Sequence, residues 1–262
     1  MIGIKVVLLD LDGTLLRGKT AISGAARALE QMRGFGIKIF FLTNASTHTR
    51  KSTVKKLKAA GLFARESEVF CSSYMIADYI ATKYPGRKVF CISEAGMQDE
   101  LLDKGVQVVR DEHADIVAVG LDRKFTYEKL ATAFKAIRRG ALFIASNEDM
   151  MFPVEGGFLP GAGAIVAAMK KCTGKKPIVL GKPNRYGVEL LLRENKLKKE
   201  ETLIVGDVIE TDVLTGKNAG IRSVLVLTGV AKKEDLKKLK MRERPDFVLE
   251  SVAGLPGLLS KL

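Results

Sequence analysis

Val6-Val7-Leu8-Leu9-Asp10-Leu11-Asp12-Gly13-Thr14-Leu15-Leu16 places an apolar run directly before two carboxylates two residues apart, with a glycine behind them. A run of that length without polar alternation reads as a buried strand of a parallel sheet. Side chains alternate along a strand, so Asp10 and Asp12 share one face of its end while Leu11 points away. Gly13 lets the backbone turn sharply and approach a ligand closely. Two acids side by side at a buried strand mouth resist ionising together. Such a pair points to a cation, or to a reaction that needs both groups; an acidic turn after a strand is the alternative for this stretch alone.

Outward from this strand the chain alternates strand-like and helix-like segments, the mark of α/β layering. Strands are expected at 4–9, 37–42, 89–92, 106–109, 116–119, 142–145, 178–180, 203–205 and 223–227. Helices are expected at 24–33, 50–60, 72–83, 95–104, 127–138, 162–171, 185–194 and 211–218, before a helix–strand–helix tail. Breaks fall at Tyr84-Pro85-Gly86 and at Cys172-Thr173-Gly174-Lys175-Lys176-Pro177. The economical arrangement is one α/β core made from both ends of the chain, with a smaller α/β unit inserted between the breaks.

At 262 residues the chain is long enough for one large domain or two small ones. Its apolar stretches are interrupted well before the ~18 residues a membrane span needs, and Met1-Ile2-Gly3-Ile4-Lys5 lacks a signal-peptide layout. Cys71, Cys91 and Cys172 form no close pair, which suggests neither a disulfide framework nor a zinc site and favours a reducing, cytoplasmic setting. The 43 Lys and Arg against 30 Asp and Glu give a formal charge of +13. The basic residues are scattered, apart from the run Lys232–Lys240. There leucines three apart among charges read as a solvated amphipathic helix. The charge fits nucleic acid, an acidic surface or a small anionic molecule, and no nucleic-acid-binding motif accompanies it.

Three more strand ends carry polar residues. Phe41-Leu42 leads into Thr43-Asn44, Val179-Leu180 into Gly181-Lys182, and Ile204-Val205 into Gly206-Asp207, with Thr211-Asp212 opening the next helix. In a parallel sheet such ends would lie on one edge, where ligands of open α/β folds bind. Singly, Thr43-Asn44 reads as a helix cap, Lys182 as a surface lysine and Asp207 as a cap. Together the four segments supply a carboxylate nucleophile, a neighbouring acid, a hydroxyl donor, a fixed cation and a metal-binding carboxylate.

In order, Asp10-Leu11-Asp12-Gly13-Thr14, Thr43-Asn44, Lys182 and Gly206-Asp207-x-x-x-Thr211-Asp212 resemble the four motifs of the haloacid dehalogenase-like superfamily. The long insert resembles the type-two cap of its 4-nitrophenylphosphatase-like branch. So do Ser146-Asn147, the turn Leu159-Pro160-Gly161-Ala162-Gly163-Ala164 and Leu227-Thr228-Gly229-Val230. Two departures are Thr14, where many members of that branch carry valine, and Glu148, where proline is common. The resemblance implies a Rossmann-like core of residues 1–86 and 177–262 with an inserted α/β cap at 87–176. Self-association through the cap is a further implication.

The same resemblance implies a magnesium-dependent phosphatase acting on small phosphomonoesters through an aspartyl-phosphate. Asp10 would be the nucleophile and Asp12 the acid that protonates the leaving oxygen and later takes a proton from water. Mg2+ would be held by Asp10, the Asp12 carbonyl and Asp207, with Asp212 supporting its water shell. Gly13, Thr14, Thr43 and Asn44 would hold the phosphoryl group, and Lys182 would offset developing charge. Leaving-group readers would come from Gly120-Leu121-Asp122, from Ser146–Asp149, Asn147 above all, or from 156–163. Two alternatives stand beside this reading: a receiver-like domain using phosphoaspartate as a switch, and a basic nucleic-acid-binding protein without catalysis.

Overall fold

The computed structural model describes residues 3–154 and 156–262. The chain forms two compact units, one of Met1–Thr43, Ser52–Phe70 and Lys182–Leu262, the other of Asn44–Lys51 and Cys71–Gly181. Each is an α/β layer structure built on a parallel sheet, and the fold is Rossmann-like.

In the first unit Val6–Leu9 lies between Thr202–Gly206 and Lys38–Thr43, in parallel register Leu9↔Val205 and Leu9↔Phe41. Arg222–Val226 and Phe247–Leu249 extend the sheet on one side, and Val69–Cys71 closes the other. Val6, Val7, Leu8 and Leu9 are all buried, as a strand covered on both faces requires. Val7 and Leu9 join Ile39, Phe41, Leu203 and Val205 in one core cluster. Helix Ala25–Gly34 packs onto that cluster through Ala25, Leu29 and Met32, the one-face spacing of an amphipathic helix.

The second unit carries a five-stranded sheet in the order Ile178–Val179, Leu142–Ala145, Ile116–Val119, Val89–Ile92, Val108–Val109. Helices Tyr127–Arg138 and Ala162–Thr173 bury Ala133, Ala136, Ile137, Val166 and Met169 against it. Thr126 starts the first of these by accepting a hydrogen bond from the Lys129 amide. No helix among the described residues is long and apolar enough to cross a membrane.

Four local expectations change. Ile178–Val179 pairs with Leu142–Ala145 in the second sheet rather than ending beside Asp10's strand. Two residues hold too little apolar surface to specify a sheet, and the ladder they complete decides. The Lys232–Lys240 run is not a helix along its length but holds one short turn at Asp235–Lys238, with a second just beyond it at Met241–Glu243. Leu236 and Leu239 dock on a small cluster around Ile209, Val213, Leu225 and Ala231, which two anchors satisfy without a continuous helical face. Helix formation near residue 211 begins as a wide turn over Ile209–Val213 before the regular Leu214–Ala219. Finally, Met151–Val154 and Gly157–Pro160 form an antiparallel hairpin where no strand is expected from the sequence.

Candidate active site

Three neighbouring strands of the first unit deliver the polar residues. Asp10 leaves the end of Val6–Leu9 with its amide bonded to the Val205 carbonyl at 2.9 Å, Asp207 follows Thr202–Gly206, and Thr43 ends Lys38–Thr43. All three are buried. The wide turn Ile209–Val213 carries Asp212 back towards them. Its Oδ2 accepts from the Val208 amide at 3.0 Å while its own amide donates to the Val208 carbonyl, locking the turn. Wide turns of this kind recur at functional sites. Carboxylate oxygens of Asp10, Asp207 and Asp212 all lie within 4.8 Å of one another. Lys182 is buried among them and donates from Nζ to Asp10 Oδ1 and Asp212 Oδ1, both at 2.5 Å.

Around the acids the backbone is shaped to give them room. Gly13 has φ +90°, and a Cβ there would run into the Asp207 carboxylate. A Cβ on Gly206 would overlap the Asp212 side chain. Asp207 Oδ1 accepts from Thr14 Oγ1 at 3.3 Å and Oδ2 from the Val230 amide at 2.8 Å. The Gly13 amide donates to the Leu16 carbonyl and the Thr14 amide to the Leu11 carbonyl, so both are engaged inside the turn. Asp12 is half-buried, and its Oδ1 accepts from Lys56 Nζ at 2.8 Å.

A family model described as haloacid dehalogenase-like hydrolase matches residues 7–107, and a HAD-hydrolase-like model matches 179–255. An acid sugar phosphatase of Staphylococcus epidermidis is 40% identical over 229 residues, 87% of this chain and 88% of that protein. The chain belongs to the haloacid dehalogenase-like hydrolases. Among solved structures, a p-nitrophenyl phosphatase from Archaeoglobus fulgidus aligns with TM-score 0.92 and 34% identity, covering 98% of this chain and 99% of that one. A glycerol phosphate phosphatase from Mycobacterium tuberculosis, solved in complex with magnesium, aligns with TM-score 0.90 and 31% identity over 97% of this chain and 79% of that one.

The electrostatics of this haloacid dehalogenase-like hydrolase are those of a cation site. Burial raises the Asp10 carboxyl well above its usual range; Lys182 pulls it down, and the charges of Asp212 and Asp207 push it further up. Burial and the Asp212 charge raise Asp207 from 3.8 to about 6. Burial opposes the charge on Lys182, but Asp10 and Asp212 outweigh it and hold the ammonium protonated. Three buried carboxylates thus face one buried ammonium, which leaves negative charge uncompensated. Hard oxygen donors in that number suit a divalent cation such as Mg2+.

Two of the expected site residues belong to the second unit. Asn44 Nδ2 lies 3.2 and 3.0 Å from the two carboxylate oxygens of Asp149. The Asn147 side chain is buried; Nδ2 donates to the Asn44 carbonyl at 2.8 Å and to Ser146 Oγ, while Oδ1 accepts from the Asp149 amide. Asp122 is likewise engaged, by Lys129 Nζ at 2.6 Å and by the Lys124 amide. Two contributors lie outside the sequence reading of the site. Thr228 donates from Oγ1 to the Gly13 carbonyl at 2.6 Å, which fixes the turn from outside it. Lys56 reaches Asp12 from helix Arg50–Ala59, and nothing in its spacing marks it among the other lysines of that helix.

Proposed function

We propose that this phosphoric monoester hydrolase is a magnesium-dependent phosphatase of small phosphorylated metabolites that works through an aspartyl-phosphate on Asp10. The observation that carries the reading is the buried trio Asp10, Asp207 and Asp212 arranged about Lys182. Asp10 attacks phosphorus in line, and the bond to the leaving oxygen breaks as Asp12 protonates that oxygen. Water then attacks the acyl phosphate, Asp12 takes its proton, and inorganic phosphate leaves Asp10 free. Thr43 and the backbone amides of Leu11 and Asp12 hold the phosphoryl oxygens. Lys182 stays protonated and offsets charge on the transferring group. Thr14 acts through Asp207, whose carboxylate it orients.

Asp10, Asp207 and the Asp12 carbonyl would hold the metal, with Asp212 supporting its waters. When bound, it supplies charge neutralisation that lets an anionic nucleophile meet an anionic phosphate.

The second unit is proposed as the cap that reads the leaving group. Within it Asn147 shapes the loop that presents Asn44 and Asp149. The relatives' acid sugar, nitrophenyl and glycerol phosphate activities support a small phosphomonoester, with sugar phosphates first on the panel. Exposed Met150, Met151, Phe158 and Leu159 on and beside the hairpin support self-association through this unit, which sedimentation as a strict monomer would exclude. A reducing, cytoplasmic setting accords with three free cysteines.

The deciding experiment is phosphate release from a panel of phosphorylated metabolites with magnesium or EDTA, for the native protein and Asp10→Asn. Turnover is expected only for the native protein with magnesium. Beryllium fluoride should bind the native protein and not the variant. Near-native rates for Asp10→Asn would overturn the nucleophile assignment.

A further inference from the structure

Asp12 must place its carboxyl beside a leaving oxygen in one step and a water in the next, yet its side chain is 38% exposed. A carboxylate with that much freedom needs something to hold it. Lys56 does so with a 2.8 Å hydrogen bond to Oδ1. No hydrogen bond to Asp12 Oδ2 is recorded among the described residues, so one oxygen is tied and the other is left for chemistry.

The lysine is itself well anchored. Helix Arg50–Ala59 turns Thr53 and Leu57 inward, and Leu57 is fully buried in the core cluster with Leu9, Leu11 and Leu15, residues on either side of Asp10 and Asp12. The Lys56 side chain is 31% exposed, and its ammonium is brought to the acid. An ion pair this exposed adds little to stability, which leaves orientation as the effect that matters.

We propose that Lys56 is a positioning residue for the acid–base step. It holds Asp12 Oδ1, and because an ammonium can only donate, the proton that Asp12 gives and takes is carried on Oδ2. This rests on the reading of Asp12 as the general acid and base.

The test exploits leaving-group quality. A nitrophenolate departs without much protonation, whereas a glycerol alkoxide depends on it, so kcat/KM for the two phosphates separates acid catalysis from general damage. Lys56→Met keeps length and helix propensity and removes the donor. It should lower kcat/KM on glycerol phosphate by about tenfold while changing that on 4-nitrophenyl phosphate less than about twofold, within the range that misplaced catalytic groups show. Lys56→Arg, which restores a cationic donor, should recover most of the loss. Equal losses on both substrates without rescue by arginine, or no loss on either, would overturn the proposal. Asp12→Asn, measured alongside, should show the same selectivity at a larger scale, on the order of 10²–10⁴-fold. Selectivity in Asp12→Asn without any in Lys56→Met would refute the inference alone. No selectivity in Asp12→Asn would refute the acid assignment as well.

Discussion

Asp207→Asn should destroy activity and yet make the metal-free protein more stable. Asp207 is 1% exposed, and its two oxygens accept from Thr14 Oγ1 and the Val230 amide. Asparagine keeps both hydrogen bonds, its oxygen to Val230 and its amide towards the Thr14 hydroxyl, so the charge is what changes. Burial and Asp212 raise this carboxyl from 3.8 to about 6. The folded protein therefore holds the proton more tightly than the unfolded chain. The associated stability is fully present below 3.8 and is lost as pH climbs through about 6. At about 1.4 kcal/mol per pH unit, the charged form destabilises the fold at pH 7 by about 3 kcal/mol. Removing the charge should return that amount, on the order of 10 °C in Tm for a chain of this size. The assay is thermal and urea unfolding in EDTA at pH 7 and pH 4, repeated with magnesium. Expected are a gain at pH 7 that vanishes at pH 4, and a magnesium stabilisation present in the native protein and absent in the variant. A variant no more stable at pH 7, or equally favoured at pH 4, would refute the idea that uncompensated buried charge makes this a cation site.

Gly206→Ala should lower kcat and destabilise by about 1–3 kcal/mol, the usual range for overpacking, because the new Cβ overlaps Asp212 and pushes it off Lys182; unchanged activity would show that Asp212 is free to shift. Burial raises the Cys71 thiol to about 11 and the Cys91 thiol to about 12 from 9.0. Folded-state pKa values above the unfolded one mean stability that is intact below about pH 9 and declines above it, by up to about 1.4 kcal/mol per pH unit for each thiol. Urea denaturation between pH 8 and 10.5 should show that slope, and Cys71→Ala/Cys91→Ala should flatten it. Replacing residues 71–181, the long continuous segment of the second unit, with a short linker should leave a folded first unit that hydrolyses 4-nitrophenyl phosphate with poor discrimination among other substrates; discrimination retained without the insert would remove the proposed cap as the reader of the leaving group.

The sequence by itself determined the layer class, the alternation of strands and helices along the chain, and which residues follow the buried strands. Runs such as Val6–Leu9 and Leu203–Val205 lack polar alternation, and only burial on both faces of a parallel sheet accommodates that. Strand ends in such a sheet share an edge, so Asp10, Thr43 and Asp207 could be brought together on paper before any coordinates. What depends on distant partners was decided only by the tertiary structure. Ile178–Val179 took its sheet from the ladder it meets, and the basic run after Ala231 took its turns from the cluster under Leu236 and Leu239. Asn147 donates to the Asn44 carbonyl and Asn44 to the Asp149 carboxylate, all within the second unit. Lys56, 44 residues from Asp12, has no local signature because its meaning is a single cross-chain hydrogen bond. Periodicity encodes which face of an element is buried; which ammonium reaches which carboxylate is fixed only when the elements pack.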